Sequence, residues 1–292
     1  MIDEQLDPQA ILQTLGLLDI TSVVSVQGGT DTAIWRVESA GRMYALRVFQ
    51  RGQHDDCQQE HVVMEAARAA GLPVPHVHAE GTWCEHPALL LSWLPGKPIA
   101  EELYAHPWRA WRLGVMFGRM HAAIHDITAP DLLCQPPDGW MRWQGLDDPP
   151  LQERLRAISH QSNVLLHLDY HPFNILTDGN RITGVLDWRN AGAGDPRADV
   201  ARTVSILRIE NIDGKRLSFQ EIALRRVFEA GWRRGYGQKK TALGNLSLFY
   251  AWAGAVMERD LGAKREQAHL THIHKWTMRW KKRAGLSLHS RV

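Results

Sequence analysis

The stretch His167-Leu168-Asp169-Tyr170-His171-Pro172-Phe173-Asn174 sets a carboxylate two residues after an imidazole and an amide five residues after that carboxylate. A second carboxylate, Asp187, follows thirteen residues later in G-V-L-D-W. Moving a phosphoryl group from a nucleotide to an alcohol needs a carboxylate to orient or deprotonate the hydroxyl and oxygen ligands that hold magnesium against the phosphates. On this reading Asp169 is the catalytic carboxylate, Asn174 and Asp187 take the metal ions, and His167 braces the loop. The chemistry expected is phosphoryl transfer from ATP or GTP, with Mg2+, to a hydroxyl of a small molecule. His167, Asp169 and His171 also alternate and could converge on one zinc or iron in a metal hydrolase, but no second His/Asp cluster at ligand spacing supports that rival.

Such a loop must be carried by regular structure on both sides. The apolar runs V-L-L and N-I-L flank the polar residues within 165–187, and around them the periodicity is helical, over roughly 99–127, 151–160, 196–210, 217–235, 241–262 and 266–284. Ahead of residue 96 the pattern changes. A helix is expected over 8–18, and 23–37 and 43–49 alternate like two strands joined by a turn at Ala40-Gly41-Arg42, an antiparallel hairpin with a glycine pair at its first bend. A second helix runs from Asp56 to Ala70 and stops at G-L-P-V-P, and A-L-L-L-S-W-L-P-G at 88–96 reads as a buried strand entering a Pro-Gly turn. The fold class expected is α+β, with a small antiparallel-sheet part at 1–95 and a larger, mainly helical part at 96–292.

The 292 residues can bury a sizeable core, and no apolar run approaches the ~20 residues that cross a bilayer. The N-terminus M-I-D-E-Q-L-D-P is acidic where a signal peptide is basic, which predicts a cytoplasmic protein without a membrane partner. Cys57, Cys84 and Cys134 are odd in number and widely spaced, so neither a disulfide framework nor a zinc site is indicated. Residues 264–292 carry eight Lys/Arg against one Glu, a net +7, which leaves −5 for residues 1–263. K-W-T-M-R-W-K-K-R at 275–283 reads as a terminal helix with a solvated basic face, and nucleic acid is not an expected partner.

With these residues in place, the chain resembles the aminoglycoside phosphotransferase and choline kinase-like superfamily of small-molecule kinases, over roughly residues 20–262. That family's catalytic loop reads H-G-D-x-x-x-x-N, matched by His167 to Asn174; its metal segment reads I-D-W followed by G-D-P-x-x-D-L-A, matched by Asp187-Trp188 and G-D-P-R-A-D-V-A at 194–201. The resemblance implies a protein-kinase-like, two-lobed fold in which Asp199 braces the catalytic loop. It also implies that Arg47 stands where protein kinases place a phosphate-contacting lysine, with Glu60 as its partner and Glu65 as the alternative. Gly28, Gly29 and Thr30 would cover the nucleotide phosphates, and the backbone at Ser92, Trp93 and Leu94 would hold the base. Two departures stand out: Arg47 replaces a lysine, and Leu168 replaces the glycine between His and Asp, adding bulk where the loop needs an unusual backbone conformation. They are the main hints toward the alternative of a catalytically weak, nucleotide-binding regulatory pseudokinase.

Substrate choice is expected from the helical part. Ten of the twelve tryptophans lie at or beyond Trp93, and Glu258 and Asp260 are candidates to receive an ammonium group of an amino-alcohol or aminoglycoside acceptor. Antibiotics, sugars, amino acids and amino-alcohols all remain open as acceptors.

Overall fold

The computed structural model describes residues 6–26, 32–134, 139–142, 148–158, 161–209, 218–237, 243–261 and 267–286. The chain divides into two compact units, Met1–Gly96 with Thr183–Arg189, and Lys97–Ile182 with Asn190–Val292. None of its described helices is long and apolar enough to cross a membrane.

The first unit opens with α1 (Pro8–Thr14), whose N-cap Asp7 accepts hydrogen bonds from the backbone N–H groups of Gln9 and Ala10. Five antiparallel strands follow, β1 (Ile20–Val26), β2 (Thr32–Ser39), β3 (Arg42–Phe49), β4 (Val77–Trp83) and β5 (His86–Ser92), in the order β1-β2-β3-β5-β4. What alternation presents as one strand over 23–37 is two, with the break falling in 27–31, outside the described residues. Ser39 pairs with Arg42 across Ala40 and Gly41, which both take positive φ (48° and 71°). Two central residues of that kind match the right-handed twist of the strands they join. The strand β4 was not expected from the sequence, because V-H-A-E-G-T-W is a polar edge strand with only alternate residues half-buried. Ile11 and Leu12 of α1 pack with Val37, Leu46, Val48, Ala88 and Leu90 on one side of the sheet. Strand alternation then sends Arg47, between Leu46 and Val48, to the opposite face, toward α2 (His54–Ala69).

The second unit is mainly helical. The single helix expected over 99–127 is two, α3 (Ile99–Ala105) and α4 (Ala110–Ile124). Pro107 causes the break: it lacks an N–H and forces the preceding residue out of the helical region, and His106 sits at φ −135°, ψ 66°. A two-residue strand β6 (Lys97–Pro98) pairs with β8 (Ile175–Thr177), and β7 (Val164–Leu166) pairs with β10 (Gly192–Gly194); β9 (Ile182–Val185) leads into the segment of the first unit that carries Asp187. After the short α5 (Gly139–Arg142) and α6 (Pro149–Ala157) come α7 (Pro196–Ile209), α8 (Phe219–Tyr236), α9 (Ser247–Leu261) and α10 (Gln267–Arg283). Ser218 and Glu221 start α8 with a reciprocal capping box.

Helices α4 and α8 touch backbone to backbone. A Cβ at Gly118 would collide with the Trp232 carbonyl oxygen, and one at Gly235 with that of Val115, so these positions need glycine for the close approach. The contact fixes Phe117, whose ring lies 4.2 Å from that of Tyr170 and whose carbonyl accepts the Tyr170 hydroxyl at 2.8 Å. Tyr170 is therefore anchored from below before any of its polar neighbours acts.

Candidate active site

The loop that follows β7 is shaped by one buried carboxylate. Asp199, near the start of α7 and fully buried, accepts the His167 N–H at 2.7 Å through Oδ2 and the Leu168 N–H at 3.0 Å through Oδ1. Oδ2 also accepts from His125 Nε2 at 3.1 Å, with His121 Nε2 3.4 Å away. Burial opposes the charge of Asp199, but the two histidines and these donors outweigh it and hold the carboxyl well below its usual range. Burial and the neighbouring His125 push His121 down to about 4 against the pull of Asp199, and His125 is fixed by its Nδ1 against the Tyr236 hydroxyl at 2.7 Å. His121, His125 and Asp199 bring three possible ligand atoms within 4.8 Å of one another. Oδ2 is already taken up by the His167 N–H and His125, so the arrangement is accounted for by hydrogen bonds.

Leu168 between them sits at φ 59° with its side chain fully buried. A non-glycine residue in that region is strained by ~1–2 kcal/mol, and the paired N–H bonds to Asp199 and the packing of the leucine offset it. Tyr170 follows, with its carbonyl accepting from Thr203 at 3.1 Å. The loop is thus bound to α4 and α7 on both sides of Asp169.

Asp169 keeps 22% of its side chain exposed. Its N–H donates to His167 Nδ1 at 3.3 Å, so His167 accepts within the loop, as a bracing residue would. Burial alone would raise the Asp169 carboxyl, but His171, Arg202 and His167 reverse the effect and lower it to about 2. His171 Nε2 lies 3.6 Å from Asp169 Oδ2. Asn174 donates from Nδ2 to the Asp169 carbonyl at 3.1 Å, which leaves Oδ1, the cation-binding atom of an amide, at the other end of the group. The zinc alternative fares poorly here: His167 Nδ1 and His171 Nδ1 each accept a backbone N–H two residues on, and among the described residues the pair does not gather with Asp169 into a metal-competent cluster.

In the first unit Arg47 is 8% exposed and donates to Glu60 at 2.8 Å and to Asp187 at 2.9 Å. Burial works against the guanidinium charge, yet Glu60 and Asp187 raise its pKa. Glu60 is almost completely buried, and burial pushes its carboxyl up to about 7 although Arg47 and the Trp188 backbone pull it down. Of the two acids proposed as partners, Glu60 makes the pair; Glu65 binds Arg68 at 3.0 Å on the exposed face of α2. Asp187 takes φ 60° and keeps 37% of its side chain exposed.

The other expected residues are distributed as follows. Gly28, Gly29 and Thr30 lie outside the described residues. The Ser92 N–H donates to the His76 carbonyl and the Trp93 N–H to that of Met43, so among the three hinge positions Leu94 is left without such a bond among the described residues. On α9, Asp260 is held by Arg202 at 2.9 Å and by Arg259 at 2.6 Å, and Glu258 faces His274 at 3.5 Å. Asp260 is thereby neutralised by two guanidinium groups rather than left open for an ammonium ligand. Sequence reasoning passed over His121, His125 and Arg202. Only the i, i+4 spacing of the two histidines at the C-terminal end of α4 and the helical offset of Arg202 from Asp199 hinted at them.

Comparison with known proteins gives this geometry its setting. Homoserine kinase of Methylobacillus glycogenes is 27% identical over 194 residues, covering 59% of this chain and 58% of that protein. Hygromycin-B 4-O-kinase of Escherichia coli is 25% identical over 211 residues, covering 62% and 61%. The match thus spans less than two thirds of either relative. Among solved structures, a thermostable mutant of aminoglycoside phosphotransferase APH(4)-Ia in ternary complex with AMP-PNP and hygromycin B aligns over 92% of this chain and 97% of that one, at TM-score 0.65 and 16% identity. A putative fructosamine-3-kinase from Haemophilus somnus 129PT aligns at TM-score 0.57 and 12% identity, over 93% and 95%. These likenesses establish the α+β fold of the aminoglycoside phosphotransferases. The model of the phosphotransferase enzyme family, APH, matches residues 22–238, most of the chain, and the protein belongs to that family.

Proposed function

We propose that this protein transfers a phosphoryl group from ATP or GTP, with Mg2+, to a hydroxyl of a small molecule. Asp169 orients the hydroxyl and accepts its proton, and Asn174 and Asp187 are assigned to magnesium. Their oxygen donors suit that hard cation, which when bound neutralises charge on the transferring phosphate. Arg47, paired with Glu60, is assigned to the nucleotide phosphates, for which a guanidinium offers paired donors. The observation that carries the reading is the Asp199 clamp: two successive N–H groups bound by one carboxylate present Asp169 ionised and partly exposed at neutral pH. The relatives act on an amino acid and on an antibiotic, and both classes stand among the candidate acceptors.

A second reading, a nucleotide-binding regulatory protein with weak catalysis, draws on the ion pair between Arg47 and Asp187, which engages a carboxylate assigned to the metal. Thermal stability measured with ATP, GTP and magnesium, singly and together, separates the outcomes, because a ligand that binds only the folded chain raises its midpoint. The proposal requires a magnesium-dependent nucleotide shift that Asp187→Ala removes. It also requires acceptor phosphorylation that Asp169→Asn abolishes while the nucleotide shift persists. A normal shift without turnover of any acceptor in a broad panel selects the regulatory reading, and no shift at saturating nucleotide sinks both.

A further inference from the structure

Beside the catalytic loop the second unit carries a pocket whose walls come from four elements: α3 (Leu103, Tyr104), the loop itself (His171, Phe173), α7 (Ile206) and α8. The α8 wall includes Leu224 and Phe228, so the lining is overwhelmingly apolar. Its floor is closed, with Leu103 and Ile206 each 6% exposed, whereas Tyr104 and Phe173 at its rim are 52% and 44% exposed. Large aromatic rings left in water around an apolar hollow mark a ligand site more often than chance does.

Two further observations bear on what it takes. His171 belongs both to the pocket wall and to the surroundings of Asp169, with Nε2 3.6 Å from the carboxylate, so a molecule seated in the hollow has the catalytic group one side chain away. The one acid on the lining, Glu221, caps α8, its Oε2 accepting the Ser218 N–H at 2.7 Å and the Ser218 hydroxyl at 2.8 Å, and the lining also carries Arg225 four residues on. The lining therefore carries a cationic residue as well as its one acid, which disfavours a cationic ligand.

We propose that this pocket is the acceptor subsite, and that the acceptor is a hydroxylated small molecule with an aliphatic or aromatic body and no cationic group turned into the hollow. The proposal rests on the phosphotransferase reading above and names its substrate class. It sets this chain apart from recognition of a polycationic amino sugar, which requires carboxylates where the lining has leucine, isoleucine and phenylalanine.

The test uses neutral n-alkyl glucosides from methyl to octyl, with a polycationic amino sugar as comparison, on the full chain by calorimetry without nucleotide. Affinity should rise several-fold per methylene until the pocket is filled, as expected when each buried methylene leaves water. Leu224→Trp, which fills the hollow from the half-buried face of α8, should flatten that series, and Leu224→Ala should preserve it. With ATP and magnesium, the tighter glucosides should be phosphorylated with lower KM at similar kcat. An affinity independent of chain length, an unchanged slope in Leu224→Trp, or stronger binding of the amino sugar overturns the proposal. If chain length governs binding yet no glucoside is phosphorylated by a chain that binds magnesium and nucleotide, the pocket is not the acceptor subsite and the phosphotransferase reading survives. Absence of nucleotide binding would instead remove that reading itself.

Discussion

Asp199 and Asp187 lie in different units and are held in opposite ways. Asp199 is fully buried and takes donors from two backbone N–H groups and a histidine, so its charge is saturated by the protein. Asp187 has 37% of its side chain exposed and one guanidinium partner that it shares with Glu60. A carboxylate that shapes backbone must be dry and fully bonded, because an unpaired buried acceptor is expensive. A carboxylate meant for an exchangeable cation must keep an open face. The contrast fits a scaffolding carboxylate at Asp199 and the cation role proposed for Asp187.

The sharpest break between the two regions is thermodynamic. Asp199→Ala should lower unfolding free energy by ~3–5 kcal/mol in denaturant melts, since it strands donors in a dry site. Asp187→Asn should change it by less than ~1 kcal/mol, the range of exposed ion pairs. Equal losses in the two variants would erase the distinction. Next comes Leu168→Gly. Removing the left-handed strain gains ~1–2 kcal/mol, but deleting a fully buried leucine loses ~2–5 kcal/mol, so the glycine of the family pattern should destabilise this chain by up to roughly 4 kcal/mol. A stabilised variant would mean that the leucine is tolerated rather than used.

The Leu168 case also marks how far sequence could be read. The segment 167–174 and the Asp of G-V-L-D-W stood out through their spacing and Asp199 through the family resemblance, and the α+β class followed from the change of periodicity near residue 96. The unusual backbone at Leu168 was foreseen from the missing glycine, but its compensation by burial was not, since that depends on packing contributed elsewhere in the chain. His125 and Arg202 escaped notice for the same reason: each acts on the loop through Asp199 or Asp169, far away in sequence. The overlong helix at 99–127 is a different failure, in which amphipathic periodicity was allowed to run through Pro107.

The two regions should also answer pH with opposite sign. Glu60 is pushed up to about 7 from an ordinary 4.5, so between those values the folded chain holds a proton that the unfolded chain has released, and its contribution to stability falls as pH rises. His121 is pushed down to about 4 from 6.5, so the unfolded chain binds the extra proton and its contribution grows as pH rises through 4–6.5. Thermal midpoints between pH 4.5 and 7 should rise more steeply in Glu60→Gln than in wild type and less steeply in His121→Asn. Slopes that move the other way would place the strained ionisation in the wrong unit. The smallest effect expected is that of Glu65→Gln, which loses exposed contacts with Arg68 and His76 and should leave the midpoint unmoved.

The backbone seam between α4 and α8 has a meaning for how this chain can diverge. At Gly114, Gly118, Gly231 and Gly235 every possible replacement adds atoms where a carbonyl or amide of the facing helix already stands. These four positions have no neighbouring variants to pass through. A library built on this sequence should therefore hold the four glycines constant, because they keep the platform beneath Tyr170, and draw its variation from positions off that stripe of α8.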